Sequence, residues 1–134
     1  MLKNKKVLFV CVHNAGRSQI AEVFFNKLAA GKATAFSAGM SPASSINPKV
    51  MKVMQEIGID LSQQKPKPLT PELVEKADLV VSMGCGMENI CPAAFVETED
   101  WDLEDPSEKP LEKVREIRDQ IKARVTELWN RVQN

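Results

Sequence analysis

The stretch Val7-Leu8-Phe9-Val10-Cys11-Val12-His13-Asn14-Ala15-Gly16-Arg17-Ser18 decides how this chain is read. Its first four residues form a short, wholly apolar run, as expected of a parallel strand covered on both faces. From Arg17 to Ala30 the apolar residues Ile20, Ala21, Phe24, Phe25 and Leu28 recur at three- and four-residue steps, which predicts an amphipathic helix stopped near Gly31. A tight loop between strand and helix turns successive backbone N–H groups inward as an anion-binding nest. The helix adds the positive end of its dipole. Asn14 and Gly16 are residue types that tolerate the positive φ such a turn needs. Arg17 supplies a planar fork for two oxygens of a tetrahedral anion. The same positive surroundings favour a thiolate at Cys11, and the Ser18 hydroxyl can donate to that sulfur.

The pattern therefore predicts an oxyanion cradle formed by Val12, His13, Asn14, Ala15, Gly16, Arg17 and Ser18, with Cys11 as a nucleophile aimed at its centre. The competing reading is a buried cysteine at a strand end with a chance arginine six positions later. The Cys-x5-Arg spacing alone is a weak signal. The strand before it, the Asn and Gly within, the Ser after and the helix beyond together favour the cradle. His13 either tunes the cysteine as a neighbouring cation or projects into solvent, and it is assigned no catalytic role.

Outward from this unit, strand and helix signals alternate. Ala33 to Ser37 is a weaker strand candidate ending at Ala38-Gly39. Asn47-Pro48 reads as an N-cap followed by proline at the first helical position. Val50, Val53, Met54 and Ile57 then form one stripe, ended by Gly58. Gln63 to Pro68 reads as a loop. Thr70-Pro71 starts a short helix to Ala77, and Leu79 to Met83 is a second buried strand. Gly84 to Pro92 is a loop or irregular helix. Phe95-Val96 opens a short fourth strand, and Glu97 to Pro106 reads as acidic and irregular. A long helix closes the chain from about Pro110, with Val114, Ile117, Ile121, Val125, Leu128 and Val132 on one face. This alternation predicts one α/β domain over residues 1–134, a three-layer sandwich with a four-stranded parallel sheet. Ligands of such sheets bind at the carboxyl ends of the strands. There Cys11, the loop after Met83 and the acidic loop after Val96 can converge.

The chain has 134 residues, 43% of them hydrophobic, which suffices for one ordinary core. Its formal net charge is zero, so nothing points to nucleic acid or an anionic membrane as partner. No apolar run approaches the roughly 20 residues of a membrane span. The first six residues lack the apolar core and cleavage site of a signal peptide, so the expected location is the cytoplasm. There the three cysteines, Cys11, Cys85 and Cys91, stay reduced and free for chemistry. His13 is the only histidine and the cysteines lack paired spacing, so no metal site is expected.

Cys11 to Gln19, followed by Ala21-Glu22, resembles the signature loop of the low-molecular-weight protein tyrosine phosphatases and of the arsenate reductases that share their fold. Further matches run in order along the chain: Phe36 to Gly39, Asn47-Pro48, Gly58 to Asp60, Ala77 to Val81, Cys91-Pro92, Trp101 and Asp105-Pro106. In both branches the resemblance implies attack by Cys11 on phosphorus or arsenic, with Asp105 as the acid that protonates the leaving oxygen. Glu99, Asp100, Asp102 and Glu104 crowd like charges around Asp105 in sequence, which would hold its proton more tightly. A solvated acidic loop is the alternative, with Asp102 as the fallback acid.

The branches part at the second step. The reductase branch needs more thiols, and the resemblance implies a relay from Cys11 to Cys85 and then Cys91 by thiol–disulfide exchange. Gly84 and Gly86 flank Cys85, as suits a thiol that must move, whereas the alternative makes Cys85 and Cys91 small buried hydrophobes. Tyrosine phosphatases of this fold carry aromatic residues beside the cleft, but this chain has no tyrosine and continues Asp105-Pro106 with Ser107-Glu108. The expectation is thus an arsenate reductase, with a phosphomonoester hydrolase as the alternative. It would hold no tightly bound cofactor, draw on thioredoxin or a low-molecular-weight thiol such as mycothiol, and act as a monomer. Two departures stand out. Five residues rather than six separate Cys85 from Cys91, and residues six apart in a regular helix lie about 9 Å apart along the axis, beyond disulfide reach. In addition, where some relatives bind potassium with an asparagine, a glutamate, a serine and an aspartate, this chain matches Asn14, Glu22 and Ser37 but has Lys67 near the aspartate position. No required metal is expected.

Overall fold

The structure, a computed structural model, describes residues 5–83 and 97–133. Among the described residues the elements run β1 (Lys5–Cys11), α1 (Arg17–Ala29), β2 (Ala33–Gly39), α2 (Pro48–Gln55), α3 (Pro71–Lys76), β3 (Leu79–Ser82), β4 (Glu97–Asp100) and α4 (Leu111–Val132). The four strands form one sheet in the order β2-β1-β3-β4, and every pairing is parallel. Side chains alternate across a strand, so β1 feeds two cores. Val7 and Phe9 join the core under α1, α2 and α4, while Leu8 and Val10 join Val74, Ala77 and Val80 under α3. This is the expected three-layer arrangement.

The chain passes from β1 to β2 on one side and returns to β3 on the other. The crevice at the carboxyl end of β1 is therefore a switch point, where open parallel sheets bind ligands. Cys11 is the last residue of β1. The packing that fixes this end is aromatic. Phe9 lies 5.7 Å from buried Trp101 and 6.1 Å from Phe25, which meets Trp129 edge-on.

Both expected caps are present. The Asn47 side chain accepts from Lys49 N, and that of Thr70 from Leu73 N. The strand candidate from Ala33 ends at Gly39 as expected, and β1 pairs with it from Lys5↔Ala33 to Cys11↔Gly39. Several other expectations need correction. β3 ends at Ser82, although the Met83 N–H still donates to Val10 O at 2.9 Å. Glu97 to Asp100 is not irregular: it is β4, paired among the described residues with β3. α1 stops near Gly31 as expected, capped by Ala30 in the left-handed region, φ +47, but Leu28, expected on its apolar face, is exposed. α2 stops at Gln55, so Ile57 lies past the helix and is exposed. The expected start of a strand at Phe95-Val96 and the loop Gly84 to Pro92, with Cys85 and Cys91, lie outside the described residues.

Candidate active site

The loop from Val12 to Gly16 joins the end of β1 to the start of α1. All its carbonyls, and that of Cys11, are engaged on the protein side. Those of Cys11, Val12, His13 and Ala15 accept from the N–H groups of Met40, Ser41, Ala43 and Asn47 at 2.8–3.2 Å. Asn14 O accepts from Gln19 Nε2 at 3.0 Å, and Gly16 O from Ile20 N at 2.9 Å. In a trans peptide the N–H points opposite to the preceding C=O, and no cis bond occurs here. The N–H groups of Val12 through Arg17 therefore turn away from those partners, and of these residues His13, Ala15, Gly16 and Arg17 line a cleft with Cys11. Asn14 takes the left-handed conformation the turn needs, φ +53. Gly16 does not, with φ −150. Its role is spatial: a Cβ there would lie 3.0 Å from Pro106 Cγ and 3.4 Å from Val50 Cγ2. α1 begins at Arg17 with no acidic residue in its first turn, so its positive end stays uncompensated beside the loop.

Cys11 Sγ lies 2.9 Å from Ser18 Oγ, and both residues are buried. Asn14 Nδ2 donates to the same Ser18 oxygen at 2.6 Å. With its oxygen accepting there, the Ser18 proton is free to point at the sulfur. Arg17 is buried and held at the guanidinium from the far loop: Nη1 donates to Leu103 O at 3.1 Å, and Nη2 lies 3.9 Å from Asp105 Oδ2. Asp105 is about half exposed, and its Oδ1 accepts from Ser107 N at 2.9 Å, which orients the carboxyl. Cys11, Arg17, Asp105 and Pro106 line one cleft of about 230 Å³, with Ala43 and Ser45 on its rim. No Phe, Trp or Tyr side chain among the described residues lines it. His13 lines the cleft but is exposed, and Nδ1 donates to Ser41 O at 3.2 Å.

The acids expected to crowd Asp105 have partners of their own. Glu104 pairs with Lys109 and Lys113, whose hydrogen bonds hold its carboxyl below the ordinary value. Burial pushes the Glu99 carboxyl up, but hydrogen bonds from Arg131 and Trp101 outweigh that and lower it. Asp100 accepts from Ser82 Oγ, and the fallback acid Asp102 is exposed and absent from the cleft.

The residues matched to a potassium set also lie together, with Lys67 among them. Ser37 Oγ donates to Glu22, and Lys67 Nζ lies 3.9 Å from Glu22 Oε1. Asn14 Oδ1 already accepts from Lys67 N at 2.8 Å and Gln19 Nε2 at 3.0 Å. Asn14 Oδ1 thus has both acceptor sites taken by protein donors, and the Lys67 ammonium, standing where the relatives' aspartate would be, places a positive charge beside Glu22. Among the described residues no three His, Cys, Asp or Glu side chains cluster as metal ligands. Sequence reading missed Gln19, the Leu103 carbonyl and the 40–47 segment that ties down the loop. Only Gln19 left a trace, as a polar residue at an inward position of α1.

Residues 6–134 match the family described as low molecular weight phosphotyrosine protein phosphatase. The chain belongs to that family. Among curated relatives of this phosphatase fold, the "Glutaredoxin arsenate reductase" of Synechocystis is 42% identical over 127 residues, covering 92% of this chain and 95% of the relative. Two solved structures, each 40% identical, align closely. One, described as an arsenate reductase in the phosphate binding state, has a TM-score of 0.86 and covers 96% of this chain and 98% of its own. The other is a thioredoxin-dependent arsenate reductase from Corynebacterium glutamicum, with a TM-score of 0.84. It covers 98% of this chain, which spans 63% of that longer protein. No helix among the described residues is long and apolar enough to cross a membrane.

Proposed function

We propose that this chain is an arsenate reductase of the phosphatase family and that Cys11 attacks arsenate directly. The observation that carries the reading is the convergence of Cys11, Arg17 and Asp105 on one small cleft that, among the described residues, no Phe, Trp or Tyr lines. A cleft that held a phosphotyrosine ring would be expected to stack it. The names of the relatives support the same choice of oxyanion.

In this reading the arsenate oxygens take the N–H groups of Val12, His13, Asn14, Ala15, Gly16 and Arg17, and the Arg17 guanidinium. The Cys11 thiolate, held by the Ser18 hydroxyl, forms the S–As bond. The opposite As–O bond breaks, and the Asp105 carboxyl gives its proton to the departing oxygen, which leaves as water. Cys85 then attacks Cys11 Sγ. The S–As bond breaks with its electron pair left on arsenic, so arsenic is reduced, arsenite leaves and a Cys11–Cys85 disulfide remains. Cys91 attacks Cys85, freeing Cys11, and an external thiol reduces the Cys85–Cys91 disulfide.

Cys85 and Cys91 lie outside the described residues, and their roles rest on the sequence and on one chain-length argument. Met83 N donates to Val10 O beside Cys11, and two further residues span at most about 7 Å. The relatives name both thioredoxin and glutaredoxin, so a small dithiol protein is the first reductant to test. Such chemistry suits a reducing compartment, the cytoplasm.

The test is turnover of arsenate against an aryl phosphate, with a thioredoxin system present. The reading expects arsenite release in step with reductant consumption, and a stalled Cys85→Ser variant that retains any slow aryl-phosphate cleavage. Brisk aryl-phosphate hydrolysis with arsenate untouched would make the protein a phosphatase instead.

A further inference from the structure

Gln19 is fully buried on the inward side of α1, between Ser18 and Ile20. A buried amide is tolerated when its hydrogen bonds are filled, and this one is filled in a directional way. Its Nε2 lies 3.0 Å from each of three oxygens: Asn14 O, Asn14 Oδ1 and Lys65 O. Two of these are backbone carbonyls, which only accept, so this end of the amide is the nitrogen. The other end, Oε1, accepts from Gln64 Nε2 at 3.2 Å.

Asn14 is fixed by the same logic. Its Oδ1 accepts from the Lys67 N–H, which can only donate, as well as from Gln19. Nδ2 must then face Ser18 Oγ, and the Ser18 proton is left for Cys11 Sγ. If the Asn14 amide turned over, its oxygen would take the Ser18 proton and the sulfur would lose its donor.

We propose that Gln19 is a positioning residue for the nucleophile: with Lys65 and Lys67 it locks Asn14 in the amide orientation that aims the Ser18 hydroxyl at Cys11. The proposal rests on Cys11 being the nucleophile and does not depend on which oxyanion is the substrate. Glutamate at position 19 would set a carboxylate against three oxygens. Leucine would fill the volume but donate nothing to Asn14 or Lys65.

The test is the pH profile of Cys11 alkylation by iodoacetamide, resolved by peptide mass spectrometry so that Cys85 and Cys91 are followed separately. In Gln19→Leu and Gln19→Glu the midpoint moves up by about one pH unit, roughly a tenfold slower reaction below it. Ser18→Ala shifts it in the same direction. In the Ser18→Ala background, Gln19→Leu then adds no further shift, because the link it acts through is gone. An unchanged midpoint in both Gln19 variants overturns the proposal, as does an equal shift with and without Ser18. Should the leucine variant fail to fold, the neutral, unbranched Gln19→Met variant carries the same comparison in both backgrounds. Failure of the arsenate reading would appear separately, as absent arsenite release with these profiles intact.

Discussion

At Arg17 one guanidinium serves two masters. Leu103 O and Asp105 hold it from the 101–107 loop, and the same residue lines the cleft. A lysine offers a point charge on a flexible stem and cannot hold the carbonyl and grip two oxygens together. Arg17→Lys is therefore expected to lower kcat/KM for arsenate by about 10²–10³-fold, as removal of one preorganised oxyanion donor does elsewhere. Asp105→Asn should lower the rate of the first chemical step by about 10²-fold or more, read by rapid quench. Its affinity for inorganic phosphate should stay the same or rise, since the variant removes a negative charge from the rim. Asp105 was legible in sequence because Asp-Pro after an acidic run matches a motif. Gln19 was not, because its partners at residues 64 and 65 are brought to it only by the fold.

At the scale of elements, the close approach of β2 to the loop sets the cradle's shape. A Cβ on Gly39 would lie 2.9 Å from Asn14 Cβ, Asn14 N and His13 C. Two of those are backbone atoms, so the loop itself would have to move. Gly39→Ala is expected to cost about 1–3 kcal/mol in urea unfolding, in the range of overpacking. The rise in melting temperature on adding phosphate should also be smaller than for the parent chain, since the cradle is displaced. The strands and helices that announced themselves are those whose signals are local: the apolar runs at Val7 to Val10 and Leu79 to Ser82, and the caps at Asn47 and Thr70. β2 and β4 were harder because a neighbour supplies their register. β4 is acidic, so its composition reads as loop. Ile57 and Leu28 fit a helical period yet face solvent, because the helices end or turn before the core reaches them.

For the whole molecule, several acidic side chains tie helices and loops together across the surface. The hydrogen bond from Arg115 holds Glu56 below its ordinary value of 4.5, and Lys109 and Lys113 do the same for Glu104. Carboxyls lowered in the folded state stabilise it fully above their ordinary value, and that contribution is lost as pH falls through the lowered one. Melting temperature should therefore drop on acidification below about pH 4.5. Arg115→Ala should melt below the parent chain above that pH and converge with it in stronger acid. The three-layer order was readable from the alternation of elements alone, and so was the location of the site at the end of β1. Which acids surround Asp105 as neighbours and which pair elsewhere was not, because α4 brings Arg131 and Lys113 to them from far along the chain.

In the proposed reaction, attack by Cys11 ends in electron transfer to arsenic rather than hydrolysis. The deciding measurement is thiol counting by mass spectrometry after a single turnover with arsenate and no external reductant. One arsenite released per chain and two thiols lost are expected. Cys11 should be free again, and Cys85 and Cys91 joined. Three intact thiols with arsenate unchanged would contradict it.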